Sequence, residues 1–347
     1  MQEDSARAAS YAAMILVHGG GWSRGCKHNL QREASVAAGT NTTSDVSLSE
    51  HFLVFNINYR MACTATGTMM TLATETNGDE DSSTDVCGAY FTSDPSLYDD
   101  VNMSPGIHDV EAAIHWVKNH ADEYCPDNSG CFNDNIELVG NSSGGNLVYM
   151  AVGRMGVGND NQVQAVGAWS GPLDLFYLTS TSHWPCSSNE IDSTKVNTCK
   201  SATMNYLGCG TYPDSPSCDG NLQDASPAYT LFDNALPPAF FASGTPRVTN
   251  KPEGSKLEVV TVNGAVDFQS WLHDVHGWSG VGDAAPGVYR FCTVVDGNDQ
   301  VVDVHAKTYT HLTASNPDGY FCHDEGTAGG TVFENMVAWL SNAVDTP

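Results

Sequence analysis

Basic residues are what this 347-residue chain has least of: 14 Lys and Arg stand against 41 Asp and Glu, a formal net charge of −27. So acidic a surface repels nucleic acid and anionic membranes, which excludes both as expected partners. It fits a generic acidic exported protein, and equally a saline habitat, where hydrated carboxylates resist salting out. Long apolar runs are missing too. The apolar runs, residues 14–17 and 52–55 among them, are strand-sized, far below the roughly 20 residues that span a bilayer. The cysteines lack any C-x-x-C or Cys/His spacing, so no zinc site or other metal is expected. Residues 1–10 are polar, with no apolar signal-peptide core. Internal repeats and low-complexity tracts are absent as well.

What is present points to one large α/β domain, residues 1–347, since 41% of residues are hydrophobic. There are 11 cysteines, most in polar, loop-like sequence. That usage fits disulfides and a secreted protein whose signal segment is missing or cleaved. The expected pairs are Cys63–Cys87, Cys125–Cys131, Cys186–Cys199, Cys209–Cys218 and Cys292–Cys322. The odd count leaves one thiol over, assigned to Cys26.

Periodicity predicts strands at 11–17, 52–59, 135–139, 164–169, 238–242, 257–262 and 289–295. It predicts helices at 29–38, 105–117, 145–155 and 331–343. In the second helix Ile107, Val110, Ile114 and Val117 recur at helical spacing, with Pro105 at its start. Residues 62–104 read as a long loop. Residues 176–235, loop-rich with four cysteines, read as a lid or cap insertion. Strands alternating with helices imply a mainly parallel sheet covered on both faces.

Two motifs carry chemistry. His18-Gly-Gly-Gly-Trp22 follows the first strand, and Gly140-Asn-Ser-Ser-Gly-Gly145 lies between a strand and a helix. Strand, sharp Gly-x-Ser-x-Gly turn and helix form a nucleophile elbow that exposes the hydroxyl of Ser142. The peptide N–H groups of Gly19 and Gly20, unshielded by side chains, suit a developing oxyanion, and the N–H of Ser143 would complete the hole. Trp22 and Trp169 are expected to pack near the pocket floor.

With Asn58-Tyr-Arg60, the run from Asp109 to Val117 and Trp169-Ser-Gly-Pro172, these motifs resemble the α/β-hydrolase fold. More narrowly, they are similar to the hormone-sensitive-lipase-like and feruloyl-esterase-like branch of carboxylesterases. The resemblance is good over about residues 11–175 and thins after residue 245. It implies a serine esterase acting on a small-molecule ester, with no cofactor; oligomeric state stays open. Two departures stand out. About ten residues precede the first strand, where the family has at least two more strands, so the chain is a fragment or its sheet lacks an edge. The turn Gly244-Thr-Pro-Arg247 lacks the carboxylate the family places there.

The fold requires acid and then base after Ser142. His183, His273, His276, His305, His311 and His323 are the candidate bases. The preferred pair is Asp267 with His305, whose His-Ala turn resembles feruloyl-esterase-like members; the competing pair is Asp299 with His323. In a third register residues 262–268 match a turn that carries the base in lipase-like members, and the base is lost. The alternatives to an esterase are therefore an inactive binding module on this fold, and a peptidase or amidase using the same constellation.

Overall fold

The computed structural model describes residues 10–22, 25–40, 52–60, 105–125, 130–155, 163–169, 171–173, 175, 203, 206–207, 221–222, 224–227, 237–243, 289–293 and 332–344. Strands β1 (Tyr11–Val17), β2 (Leu53–Ile57), β3 (Phe132–Asn141), β4 (Val163–Trp169), β5 (Ala239–Ser243) and β6 (Tyr289–Thr293) form one sheet. Its order is β2-β1-β3-β4-β5-β6 and every pairing is parallel. The helices are α1 (Gln31–Ala37), α2 (Pro105–His120), α3 (Ser143–Met155) and α4 (Val332–Val344).

Parallel strands are covered on both faces and so read as continuous apolar runs rather than alternating ones. β1 is the clearest case: Ala12 through Val17 are all buried. On one face Ile15, Val17 and Leu138 pack with Ile107, Val110, Ile114 and Val117 of α2 and Leu147 and Met150 of α3. On the other, Met14, Leu16 and Val139 pack with Val36 of α1 and Phe333, Met336, Val337 and Leu340 of α4. Truncating any one of these large side chains to alanine costs about 2–5 kcal/mol.

Register places the site. Val17 lies opposite Ile57 on one side and Gly140 on the other, and Gly140 lies opposite Ala168. The carboxyl ends of β1, β3 and β4 therefore share one edge of the sheet. The segments that leave them, His18-Gly-Gly-Gly and Asn141-Ser142, start side by side.

The predicted elements inside the described residues are present with shifted ends. β2 is shorter than expected, and β3 is longer at both ends. Helix α3 begins at Ser143 rather than residue 145, because Ser142 alone absorbs the reversal from strand to helix. The segment expected as one helix over 29–38 enters through a 3-10 turn, Lys27–Leu30, before α1. The stretch 62–104 and the strand expected at 257–262 lie outside the described residues.

Cys125 and Cys131 are bonded, with Cα atoms 5.6 Å apart, closing the turn between α2 and β3. Cys26 is also disulfide-bonded, which corrects its assignment as the leftover thiol. Parity alone cannot say which cysteine is odd; that depends on which sulfurs the fold brings together. The other expected pairs each include a cysteine outside the described residues.

Candidate active site

Ser142 has φ 51°, in the left-handed region. A non-glycine residue there is strained by about 1–3 kcal/mol and persists only when its surroundings hold it. The surroundings are visible. Ser142 N–H donates to the Trp169 carbonyl at 2.9 Å, and its own carbonyl accepts from Gly145 N–H at 2.8 Å and Asn146 N–H at 3.3 Å. The serine is thus clamped between the end of β4 and the first turn of α3. Ser143, the expected third oxyanion donor, is buried at the start of that helix.

The loop after β1 meets this elbow directly. A Cβ on Gly19 would stand 2.7 Å from Asn141 Oδ1 and 2.9 Å from Ser142 Cβ, so only glycine lets the loop lie this close. Glycine also permits φ 130° at Gly20 and 58° at Gly21. Gly19 and Gly20, read from sequence as oxyanion donors, and Ser142 and Ser143 are therefore brought together.

His18 is fully buried. Its ring stacks on Tyr59, centroids 4.4 Å apart and planes 19° from parallel. Nδ1–H donates to the Gly19 carbonyl at 2.7 Å, the carbonyl being able only to accept. Burial pushes its pKa down to about 4, opposed by that backbone bond, so the ring is neutral at pH 7. The Tyr59 hydroxyl lies 3.2 Å from Ser143 Oγ. Burial, only partly offset by that contact, raises the Tyr59 pKa far above the ordinary phenol range and keeps it protonated. Tyr59 thus ties the residue after the nucleophile to the imidazole under the oxyanion loop. The next residue, Arg60, is anchored by Asp109 of α2, which accepts from Arg60 N at 2.6 Å and lies 2.8 Å from the guanidinium.

Sequence reasoning missed three polar side chains here. Asn146, fully buried in the first turn of α3, accepts from the Tyr206 hydroxyl at 2.9 Å. It also donates to the carbonyls of Pro172 and Ala225, both at 3.1 Å. Tyr206 stacks on Trp22. The available signal for Asn146 was an amide set among apolar residues on a buried helix; Tyr59 sat inside a quoted motif; nothing in the sequence singled out Tyr206. The two tryptophans also part company. Trp22 packs in the α2/α3 layer, whereas Trp169 belongs to the opposite layer against Phe333 of α4, 5.6 Å between centroids. Trp169 still adjoins the site through its backbone, since its carbonyl accepts from Ser142 N–H.

Asp267, His305, Asp299 and His323 lie outside the described residues, as do the other candidate bases. Among the described residues there is no cluster of His, Cys, Asp or Glu suited to a metal, and no helix long and apolar enough to cross a membrane.

Residues 94–249 match the family described as BD-FAE. No curated protein matches the chain. Similar solved structures include esterase B from Lactobacillus rhamnosis, at 13% identity and TM-score 0.47, covering 83% of this chain and 66% of that one. A bacterial heroin esterase aligns at 14% identity and TM-score 0.48, covering 83% and 67%. A truncated carbohydrate esterase from gut microbiota aligns at 17% identity and TM-score 0.46, covering 83% and 79%. The chain thus spans about two thirds of the length of the first two. With its parallel sheet and strained serine between β3 and α3, the chain has the α/β-hydrolase fold, and residues 94–249 carry its similarity to the BD-FAE family.

Proposed function

We propose that this protein is a serine hydrolase of carboxylic esters. The observation that carries the reading is Ser142 at φ 51° with Gly19 lodged against it. A strained serine at the carboxyl edge of a parallel sheet, beside a glycine loop whose N–H groups no side chain shields, suits acyl transfer; a purely structural turn needs neither. Ser142 Oγ attacks the ester carbonyl carbon while a histidine takes its proton. The resulting oxyanion is held by N–H groups from Gly19, Gly20 and Ser143. Collapse breaks the C–O bond, and the departing alcohol receives the proton. Water then attacks the acyl-enzyme by the same route in reverse and releases the acid. Asp267 and His305 are assigned as acid and base, with Asp299 and His323 as the alternative pair, and residues 176–235 as the cap.

p-Nitrophenyl acetate and butyrate test this. The protein hydrolyses them, and Ser142→Ala abolishes turnover; equal rates would remove Ser142 from the mechanism. His305→Ala loses activity about as completely, because triad members act as a unit. Near-normal activity in His305→Ala beside a dead His323→Ala would transfer the roles to the second pair.

An exported location is proposed on the same footing, supported by the bonded state of Cys26, Cys125 and Cys131. Thiol titration in denaturant should find about one free group among the 11 cysteines. Eight or more in protein made in an oxidising compartment would contradict it.

A further inference from the structure

Three successive residues of the loop after β1 have positive φ: 130° at Gly20, 58° at Gly21 and 58° at Trp22. The glycines adopt this freely, but a bulky tryptophan does so only under constraint. Tyr206 packs directly on it. Its ring lies on Trp22 with centroids 4.5 Å apart and planes 16° from parallel, both side chains being buried. The far end of the same side chain is fixed as well, since its hydroxyl donates to Asn146 Oδ1 at 2.9 Å. Asn146 belongs to the helix that starts at Ser143, and its N–H bonds the Ser142 carbonyl. Its amide is held in turn by the Pro172 and Ala225 carbonyls. One tyrosine from the stretch between β4 and β5 therefore touches both halves of the site: the oxyanion loop through its ring and the nucleophile helix through its hydroxyl. That stretch is itself anchored. Asn221 Nδ2 donates to the Leu207 carbonyl at 3.1 Å, and Leu175 N–H donates to Ser226 Oγ at 2.7 Å.

We propose that Tyr206 is a positioning residue for the oxyanion loop. Its ring holds Trp22 in the left-handed conformation, and its hydroxyl locks that stack to the helix behind Ser142. The insertion then sets the distance between the oxyanion donors and the nucleophile, in addition to any part it plays in covering substrate. The kinetic consequence rests on the ester-hydrolase reading; the structural consequence, an ordered loop at residues 18–22, does not.

The experiment compares wild type, Tyr206→Leu and Tyr206→Phe well below their melting temperatures. Removing the flat ring should release Trp22 and let the donors drift, lowering kcat roughly hundredfold while KM changes by less than about threefold. Affinity for phenylboronic acid, which forms a tetrahedral adduct on a catalytic serine, should fall in step with kcat. Amide exchange over residues 18–22, followed by mass spectrometry, should accelerate. Tyr206→Phe keeps the stack and loses only the hydroxyl's lock to the helix, so its kcat should fall roughly tenfold, less than in Tyr206→Leu, and its melting temperature should drop. If Tyr206→Leu fails to fold, Tyr206→Met fills the volume without a flat ring and carries the same comparison. A folded ring-less variant with wild-type kcat, unchanged boronate affinity and unchanged exchange over 18–22 would overturn the proposal. A wild type that cleaves no ester would defeat the hydrolase reading instead, and the exchange measurement would still decide the role of Tyr206.

Discussion

His18 takes its role from its surroundings. Full burial, the stack on Tyr59 and the bond to the Gly19 carbonyl make it a neutral structural prop. Its titration gives a prediction. Unfolded, it takes a proton near pH 6.5; folded, it resists until about pH 4. Above pH 6.5 neither state is protonated and stability is flat. As pH falls from 6.5 to 4 only the unfolded chain gains the proton, so stability drops by up to about 3 kcal/mol, then levels off. In His18→Gln that contribution vanishes while the carboxylates titrate as before. The stability difference between wild type and variant, from denaturant melts at pH 7 and pH 4, should therefore shift by about that amount in the variant's favour as pH falls. A difference independent of pH would mean that the ring reaches solvent.

The contact between the end of β1 and the start of α3 belongs to the scale of elements. A Cβ on Gly144 would overlap the carbonyl oxygens of Val17 and His18. The Val17 carbonyl sits on backbone that sheet pairing holds on both sides, so it yields less readily than a side chain would. Gly144→Ala should destabilise the fold by about 1–3 kcal/mol and push the oxyanion loop off the elbow, lowering kcat as well. Denaturant melts and initial rates on one preparation check both effects; a variant with unchanged stability and rate would show that the helix seats more loosely. Elements were also what the sequence displayed best. Strands β1 and β4 and helix α2 matched closely, because a buried parallel strand leaves a continuous apolar run and a helix with one apolar face leaves a periodic one. Ends were less legible. The start of α3 depended on one strained dihedral at Ser142, and β2 ended at Ile57, before Asn58 and Tyr59.

Charge acts on the whole molecule. With a net charge of −27, mutual repulsion among carboxylates should weaken the compact state when it is poorly screened. Screening shortens the Debye length from about 30 Å at 0.01 M to about 3 Å at 1 M. The melting temperature at pH 7 should therefore rise with sodium chloride, most steeply at the dilute end, while binding of a neutral ester changes little. A flat or falling series would mean that the charges are dispersed or locally paired, and the saline-habitat reading would lose its support. What the sequence by itself determined were features set by short-range sterics and periodicity: the glycine loop after β1, the serine turn after β3, and the alternation that makes a parallel sheet. Only the tertiary structure decided which distant groups met. It bonded Cys26, turned Trp169 toward α4, buried His18 on Tyr59, and ran Tyr206 from Trp22 to Asn146. The reason is physical. A turn needs particular residues at fixed spacing, whereas a stack or a buried hydrogen bond needs only two side chains brought together by strand order and register, which no local spacing records.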